Sequence, residues 1–187
     1  MNVFQAAILG ILQGLAEFLP ISSSGHLELA QHLMGLNENS QAMLLLSVLL
    51  HAGTLVAVVV VFWEDWWNIL KNPFKSKTLG LLFIASLPAL AVAVLMDVDQ
   101  LFGSGFLGIA FLITGVFMLL AEKLSKRAQG SDEVNVKRAL AMGAMQAVAL
   151  MPGVSRSGST LLGGVGCGLT RKTAAKFSFM TWKHTSI

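Results

Sequence analysis

The feature that most constrains this chain is the apolar run Ala42–Trp63, which only three polar residues interrupt. A helix needs roughly 20 apolar residues to cross the hydrocarbon core of a bilayer. Two further runs, Leu79–Met96 and Gly105–Ala121, are also apolar enough to cross. Only 12% of the residues are charged, against about 25% in soluble domains. The sequence therefore predicts an all-α, polytopic membrane helical bundle that forms a single membrane domain over residues 1–187.

Basic residues in the connections between these runs predict the topology. The connections Glu64–Lys77 and Glu122–Arg138 are rich in Lys and Arg, whereas Asp97–Ser104 holds Asp97 and Asp99 and no basic residue. Because Lys and Arg accumulate on the cytoplasmic side, the first two connections are predicted to be cytoplasmic loops and the third external. The chain just after its first serine-rich turn then lies on the outer side.

Two shorter apolar segments, Val3–Pro20 and Ala139–Met151, each lead into a serine-rich turn, Ser22–His26 and Ser155–Thr160. Apolar stretches of about 10–14 residues are more often re-entrant or buried than spanning. Each segment with its turn is therefore predicted to form a re-entrant helix-turn-helix hairpin. A first segment that crosses the bilayer completely is the alternative, and it makes the two copies described below parallel.

The chain also matches itself when it is shifted by 133 residues, which predicts an internal repeat. The matches include Gly10 with Gly143, Gln13 with Gln146, Ser22 with Ser155, Ser24 with Ser157, Gly25 with Gly158 and Gly35 with Gly168. The first copy covers about residues 1–133, and the second, residues 134–187, is expected to be incomplete because its own three spans do not follow. Three spans separate the re-entrant hairpins, so the copies are inverted, and inverted repeats place a shared site near the midplane.

Glu17 is a candidate site residue because ionisable residues inside membranes are costly and by default functional. Gln13 lies one helical turn earlier, on the same face. The alternative is a Glu17 that is hydrated among the headgroups. The first turn consists of Ser22, Ser23, Ser24, Gly25 and His26. These residues are able to cap a helix, bind phosphate or transfer protons. The alternative is a turn that only caps the following helix.

Arg156 lies in the second turn, inside an otherwise apolar stretch. The planar guanidinium group matches two phosphate oxygens at once. Ser155, Ser157 and Thr160 add hydroxyl donors, and Gly158 permits close approach of the backbone. The alternative is an arginine that extends to the membrane interface. If the two turns meet, they form a pocket suited to a phosphate or diphosphate headgroup.

Both motifs resemble those of the undecaprenyl-diphosphate phosphatase family, the bacitracin-resistance type of bacterial membrane phosphatase. The family's acidic-or-Gln, x, x, x, Glu motif reads Gln13-Gly14-Leu15-Ala16-Glu17 here. Its Pro-Gly-x-Ser-Arg-Ser-x-x-Thr motif is complete from Pro152 to Thr160. The resemblance runs from about Val3 to Phe179, and the sequence departs from the family pattern from Met180 onward, in agreement with the truncation expected from the repeat.

The resemblance implies an enzyme that hydrolyses undecaprenyl diphosphate to undecaprenyl phosphate and recycles the carrier for peptidoglycan synthesis, in the bacterial inner membrane with a site open to the outer face. Arg156 would clamp the diphosphate, Ser23 or a neighbour would attack or orient water, and His26 would transfer protons. Glu17 would orient His26 or hold a divalent cation, Mg²⁺ or Ca²⁺. The residues implied in substrate binding are Gln13, Ser22, Ser24, Gly25, Ser155, Ser157, Gly158 and Thr160.

The expected partners are a polyprenyl diphosphate lipid, the bilayer and a second copy in a homodimer. Nucleic acid is not expected, because the net charge is only +3. Inverted repeats with broken helices also fit a transporter or scramblase for phosphorylated lipids. Glu17, Ser23 and His26 favour chemistry, since a carrier needs no pair that transfers protons. A third alternative is an inactive, truncated fragment.

Overall fold

The computed structural model describes residues 1–36, 41–71, 77–96, 104–126 and 130–185. Within these ranges the chain forms nine α-helices and a short 3-10 helix at Ser104–Phe106. In chain order the helices are α1 Val3–Phe18, α2 Ser23–Leu33, α3 Gln41–Val61, α4 Trp63–Lys71, α5 Lys77–Leu95, α6 Leu107–Ser125, α7 Val136–Val148, α8 Arg156–Gly166 and α9 Arg171–Thr185. The predicted all-α class is confirmed.

Three helices, α3, α5 and α6, are long and apolar enough to cross a membrane. They coincide with the three predicted spans to within a few residues, which confirms those spans. Only 11%, 28% and 17% of their most apolar windows is buried inside the protein. Most of their apolar surface therefore faces outward, as a protein surrounded by lipid requires. Helix α5 is the most enclosed because α7 and α9 pack against it.

The connection after α3 differs from its prediction as a loop. Residues 63–71 form α4, which buries Trp66 and Ile69 in the core while Trp63 and Trp67 stack on each other at the exposed surface. The helix forms because its two buried residues are three positions apart and therefore share one face. The loop prediction was wrong for this segment. Of the predicted external connection, Asp97 and Asp99 lie outside the described residues.

Two helical hairpins, α1–α2 and α7–α8, share their geometry. Their first helices begin at Val3 and Val136, and their second helices cover Ser23–Leu33 and Arg156–Gly166, all offset by 133 residues. The helix starts are capped alike, since Asn2 and Asn135 each accept from the backbone N–H three residues later. Both second helices are followed by a glycine with positive φ, Gly35 and Gly168.

The α7–α8 hairpin leaves and returns at the same end of the bundle. The backbone of Ser131, before α7, donates to Gly168 and accepts from Thr170, both after α8. Arg138 joins the same junction, donating to the Cys167 carbonyl oxygen at 3.3 Å. Lys77 lies within 3.3 Å of Glu133, so the predicted cytoplasmic connections before α5 and before α7 meet at this end.

Helices α5 and α7 pack with almost no space between their backbones. A Cβ added at Gly143 of α7 would collide with the carbonyl oxygen of Ala85 in α5. Small residues permit this approach, which is the usual way helices associate in membranes. The resulting α5–α7 pair holds the second hairpin against the long helix α5, and α8 packs against α6.

Candidate active site

A cavity of about 190 Å³ lies where the two serine-rich turns meet. The turns touch directly, because a Cβ added at Gly158 would lie 3.3 Å from the Pro20 carbonyl oxygen. Polar lining residues come from the first hairpin, the second hairpin, α3 and α9: Glu17, Ser22, Ser23, Ser24, Ser155, Arg156, Ser157, His51 and Ser178. The structure thus brings together the two motifs that the sequence places 133 residues apart.

Glu17, at the end of α1, is the carboxylate among the lining residues. Its Oε2 accepts one hydrogen bond from Ser23 Oγ at 2.6 Å and one from Gln13 Nε2 at 2.8 Å. Gln13 is only 1% exposed and is not among the lining residues, so its bond holds Glu17 in place, and its part in substrate binding stays a prediction. The bond to Glu17 pulls the Ser23 hydroxyl proton toward a base, an arrangement that activates a nucleophile.

The turn that aims Ser23 at Glu17 depends on Ser22. Ser22 has a φ of +72°, and among the residues that the structure describes no other non-glycine residue has a positive φ. Side chains seldom adopt this conformation, which costs of order 1–3 kcal/mol and tends to occur at functional sites. Ser22 also caps α2, because its Oγ accepts from the Gly25 N–H at 3.3 Å. Ser22 therefore shapes the turn and lines the cavity.

His26 lies in the first turn of α2 and is not among the residues that line the cavity. Its Nδ1 bonds to the Ser22 carbonyl oxygen at 2.8 Å, and its ring packs on Phe111 with centroids 4.9 Å apart. Glu17 contacts Ser23 and Gln13 rather than this ring. Gly25 beside it fits closely, since a Cβ there would meet Phe111 at 2.9 Å.

The second turn presents Arg156 as the first residue of α8. Ser155 caps the helix, accepting from the Gly158 N–H at 3.1 Å, and its own N–H donates to Thr114 Oγ1 in α6 at 3.0 Å. Ser155 and Ser157 lie with their Oγ atoms 3.3 Å apart. The positive end of α8 and the guanidinium group therefore lie together at the cavity, and both favour an anion there.

Thr160 supports this turn from behind. Its Oγ1 donates to the Arg156 carbonyl oxygen at 2.8 Å and hydrogen-bonds with Ser178 of α9. Thr160 is 1% exposed and does not line the cavity. This contact fixes the backbone of Arg156, and the place of Thr160 in substrate binding stays a prediction.

From the sequence, His51 could either line the pocket or be a buried, hydrogen-bonded histidine, and the structure places it in the cavity lining. Three further residues at or next to the cavity were not assigned from the sequence: Thr114, Ser178 and Phe179. A polar residue inside an apolar span was the available signal for His51 and Thr114. Ser178 and Phe179 lie at the end of the family resemblance, where motif matching gives no role.

The described residues contain no cluster of three or more His, Cys, Asp or Glu able to hold a metal ion. Glu17 and the serine hydroxyls of the first turn are adjacent oxygen ligands in the cavity lining. Mg²⁺ is commonly held by one or two carboxylates together with substrate phosphates and water. This donor set fits a cation that is shared with a bound diphosphate.

Comparison with known proteins gives consistent matches. Residues 6–184 match the family described as "Bacitracin resistance protein BacA". The chain is 42% identical over 183 residues to undecaprenyl-diphosphatase 4 of Bacillus thuringiensis, covering 96% of this chain and 69% of the relative. It is 44% identical over 184 residues to the undecaprenyl-diphosphatase of Carboxydothermus hydrogenoformans, with the same coverage. The chain thus spans about 69% of the length of these curated relatives.

Proposed function

The chain belongs to the bacitracin resistance protein BacA family, which confirms the resemblance seen in its motifs, and we propose that it hydrolyses undecaprenyl diphosphate to undecaprenyl phosphate and inorganic phosphate. The observation that carries the proposal is the pairing of Ser23 with Glu17 across one cavity from Arg156. Activated hydroxyl, base and anion clamp are the groups that phosphoryl transfer needs.

The reaction proceeds in two steps. Arg156 and the N-terminus of α8 bind the diphosphate and stabilise the charge that spreads over the equatorial oxygens in the transition state. Ser23 Oγ attacks the terminal phosphorus while its proton passes to Glu17. The bond from that phosphorus to the bridging oxygen breaks, and undecaprenyl phosphate leaves with the electron pair. Water then hydrolyses the phosphoserine, releasing phosphate and restoring the Ser23 hydroxyl.

A divalent cation, Mg²⁺ or Ca²⁺, is the cofactor of the proposal. Glu17 and the hydroxyls of the first turn would hold it with the substrate oxygens, and it would neutralise part of the diphosphate charge. The role of His26 in proton transfer stays a prediction, and in the structure its Nδ1 bonds to the Ser22 carbonyl oxygen of the first turn.

The lipid tail lies outside the cavity in this proposal. A volume of about 190 Å³ equals several water molecules at roughly 30 Å³ each. That space suits a diphosphate headgroup and leaves the polyprenyl chain in the surrounding bilayer. The exposed side chains of Phe18, Leu19 and Ile21 next to the first turn provide an apolar surface for it.

The two hairpins are re-entrant and enter from opposite sides of the inner membrane in this proposal. Helix α7 has 13 residues, about 20 Å at 1.5 Å per residue, which is short of the ~30 Å hydrocarbon core. Its base carries Lys137 and Arg138, which favours the cytoplasmic side. The first hairpin then enters from outside, so that the touching turns lie within the membrane and the cavity opens outward.

The test is phosphate release and undecaprenyl phosphate formation by the purified chain in detergent, beside lipid flipping in vesicles. A phosphatase gives one phosphate per monophosphate formed, and Ser23→Ala lowers release by at least about 10²-fold while lipid binding is retained. A chain that moves the lipid across vesicles without releasing phosphate is a carrier, and that result refutes the proposal.

A further inference from the structure

His51 is a titratable cavity-lining residue that belongs to neither motif. It lies in α3, a membrane-spanning helix outside both serine-rich turns, and its ring is half-buried. Polar side chains within a membrane span are costly and usually face the protein interior or a cavity. The cavity is the polar environment that the structure gives His51.

The hydrogen bonds of the His51 ring define which nitrogen a ligand meets. Nδ1 lies 2.8 Å from the Ser47 carbonyl oxygen, one helical turn earlier. A carbonyl oxygen only accepts, so Nδ1 carries the proton of this bond. Nε2, which has no hydrogen bond among the described residues, is the nitrogen left for a ligand. Anchoring one ring nitrogen so that the other is oriented is how histidine is fixed in sites generally.

The charges in the cavity show what such a ligand gains. Glu17 and Arg156 are of opposite sign, so these two residues supply no net positive charge for an anion. Because Nδ1 already carries a proton, Nε2 carries an N–H when the ring is doubly protonated, and that ring gives a phosphate oxygen both a donor and a positive charge. Hydrogen bonds with an ionised partner are about twice as strong as neutral ones.

We propose that His51 binds the diphosphate headgroup through Nε2, as a third contact from α3 beside Arg156 and the first turn. The inference rests on the proposed function for the identity of the diphosphate as substrate. It assigns His51 to binding the headgroup rather than to proton transfer, because its neighbours in the cavity already include the Ser23–Glu17 pair.

The test uses His51→Leu, which removes the ring nitrogens, and His51→Gln, whose side-chain amide places an N–H near the position of Nε2. His32→Leu makes the same histidine change at an exposed residue of α2 outside the cavity lining. Both phosphate release and direct binding of undecaprenyl diphosphate by the purified chain are measured for each variant.

His51→Leu is expected to raise KM and the dissociation constant by about ten- to a hundred-fold, the loss of one hydrogen bond to a charged group, with kcat within about three-fold. His51→Gln restores most of the affinity, and His32→Leu matches the wild type. Unchanged affinity in His51→Leu overturns the inference. A large kcat loss shared by Leu and Gln also overturns it, because that pattern belongs to proton transfer.

The binding measurement distinguishes failure of this inference from failure of the proposed function. A wild-type chain that binds the lipid but releases no phosphate refutes the phosphatase, while the dissociation constants of the His51 variants still decide the contact. A wild-type chain that binds no diphosphate refutes both.

Discussion

Glu17 and Ser23 share a hydrogen bond of 2.6 Å, and a double-mutant cycle measures whether they act as one unit. The variants are Glu17→Gln, Ser23→Ala and the two combined. Glutamine keeps the size of the side chain and most of its hydrogen bonding, but it cannot accept the proton of Ser23. Alanine removes the attacking oxygen and leaves the helix start otherwise intact.

The expected magnitude follows from the role assigned to Glu17. General base catalysis contributes about 10²–10⁴-fold, or roughly 3–5 kcal/mol at 1.36 kcal/mol per ten-fold. Glu17→Gln should lower kcat by that factor, and Ser23→Ala by at least as much. Once Ser23 is gone, Glu17 has no proton to accept from it. The combined variant should therefore be no slower than Ser23→Ala, with a coupling energy of about 3–5 kcal/mol.

The assay is phosphate release at saturating lipid, with lipid binding measured in parallel to show that each variant still forms the site. Glu133→Gln is the matched control, since this exposed glutamate pairs with the exposed Lys77 and such pairs contribute little. If the losses of the two single variants multiply in the combined variant, the residues act independently and the proposed base role is refuted.

Three further predictions concern the scaffold. Gly143→Ala forces α5 and α7 apart, and this overpacking should cost about 1–3 kcal/mol and lower the midpoint of thermal unfolding in detergent by several degrees. Gly115→Ala, at a position with open space around it, is the control and should leave the midpoint unchanged. Equal midpoints for the two variants would contradict the close packing of α5 and α7. Hydrogen bonds from Thr170 and Thr173 hold the pKa of Asp132 below its usual range. This carboxylate therefore stabilises the fold above the pH at which it titrates in the unfolded chain, about 3.9, and that contribution is lost as pH falls through the lower folded value. Asp132→Asn should flatten the acid side of a midpoint-against-pH curve, and an unchanged curve rules this out. Thr160→Val should lower kcat/KM about ten-fold, because it removes a hydrogen bond that holds the Arg156 backbone. The midpoint of thermal unfolding should change little. A loss of activity that is fully explained by a loss of stability would show that Thr160 serves packing only.

The spans could be predicted because length and hydropathy are local properties. Helix α4 was missed because its segment was interpreted as a topology signal for its basic residues, although Trp66 and Ile69 share one face and give the segment an amphipathic pattern. Its burial comes from contacts with the rest of the core, to which α5, α7, α8 and α9 contribute. No local signal carries that information.

The residues of the site were likewise named by motif, but their contacts were not. The Glu17–Ser23 hydrogen bond depends on the positive φ of Ser22, and the presence of a serine in a turn does not predict that conformation. Thr114 and Ser155 are 41 residues apart in the chain, and His51 reaches the cavity from a helix outside both motifs. These contacts exist because the hairpins and the long helices pack together, and only the tertiary structure supplies them.

The central claim is that Arg156, from the second hairpin, holds the diphosphate that Ser23 of the first hairpin attacks. The most direct measurement is phosphate release from undecaprenyl diphosphate by Arg156→Ala, with and without added guanidinium ion. We expect the rate of phosphate release to fall about 10²–10³-fold, as when other groups that stabilise transition-state charge are removed. Guanidinium ion should restore the rate by at least about ten-fold, whereas urea or sodium chloride at equal concentration should not. Release by Arg156→Ala at the wild-type rate would contradict the account, as would a loss that guanidinium leaves unchanged while the lipid still binds as tightly as in the wild type.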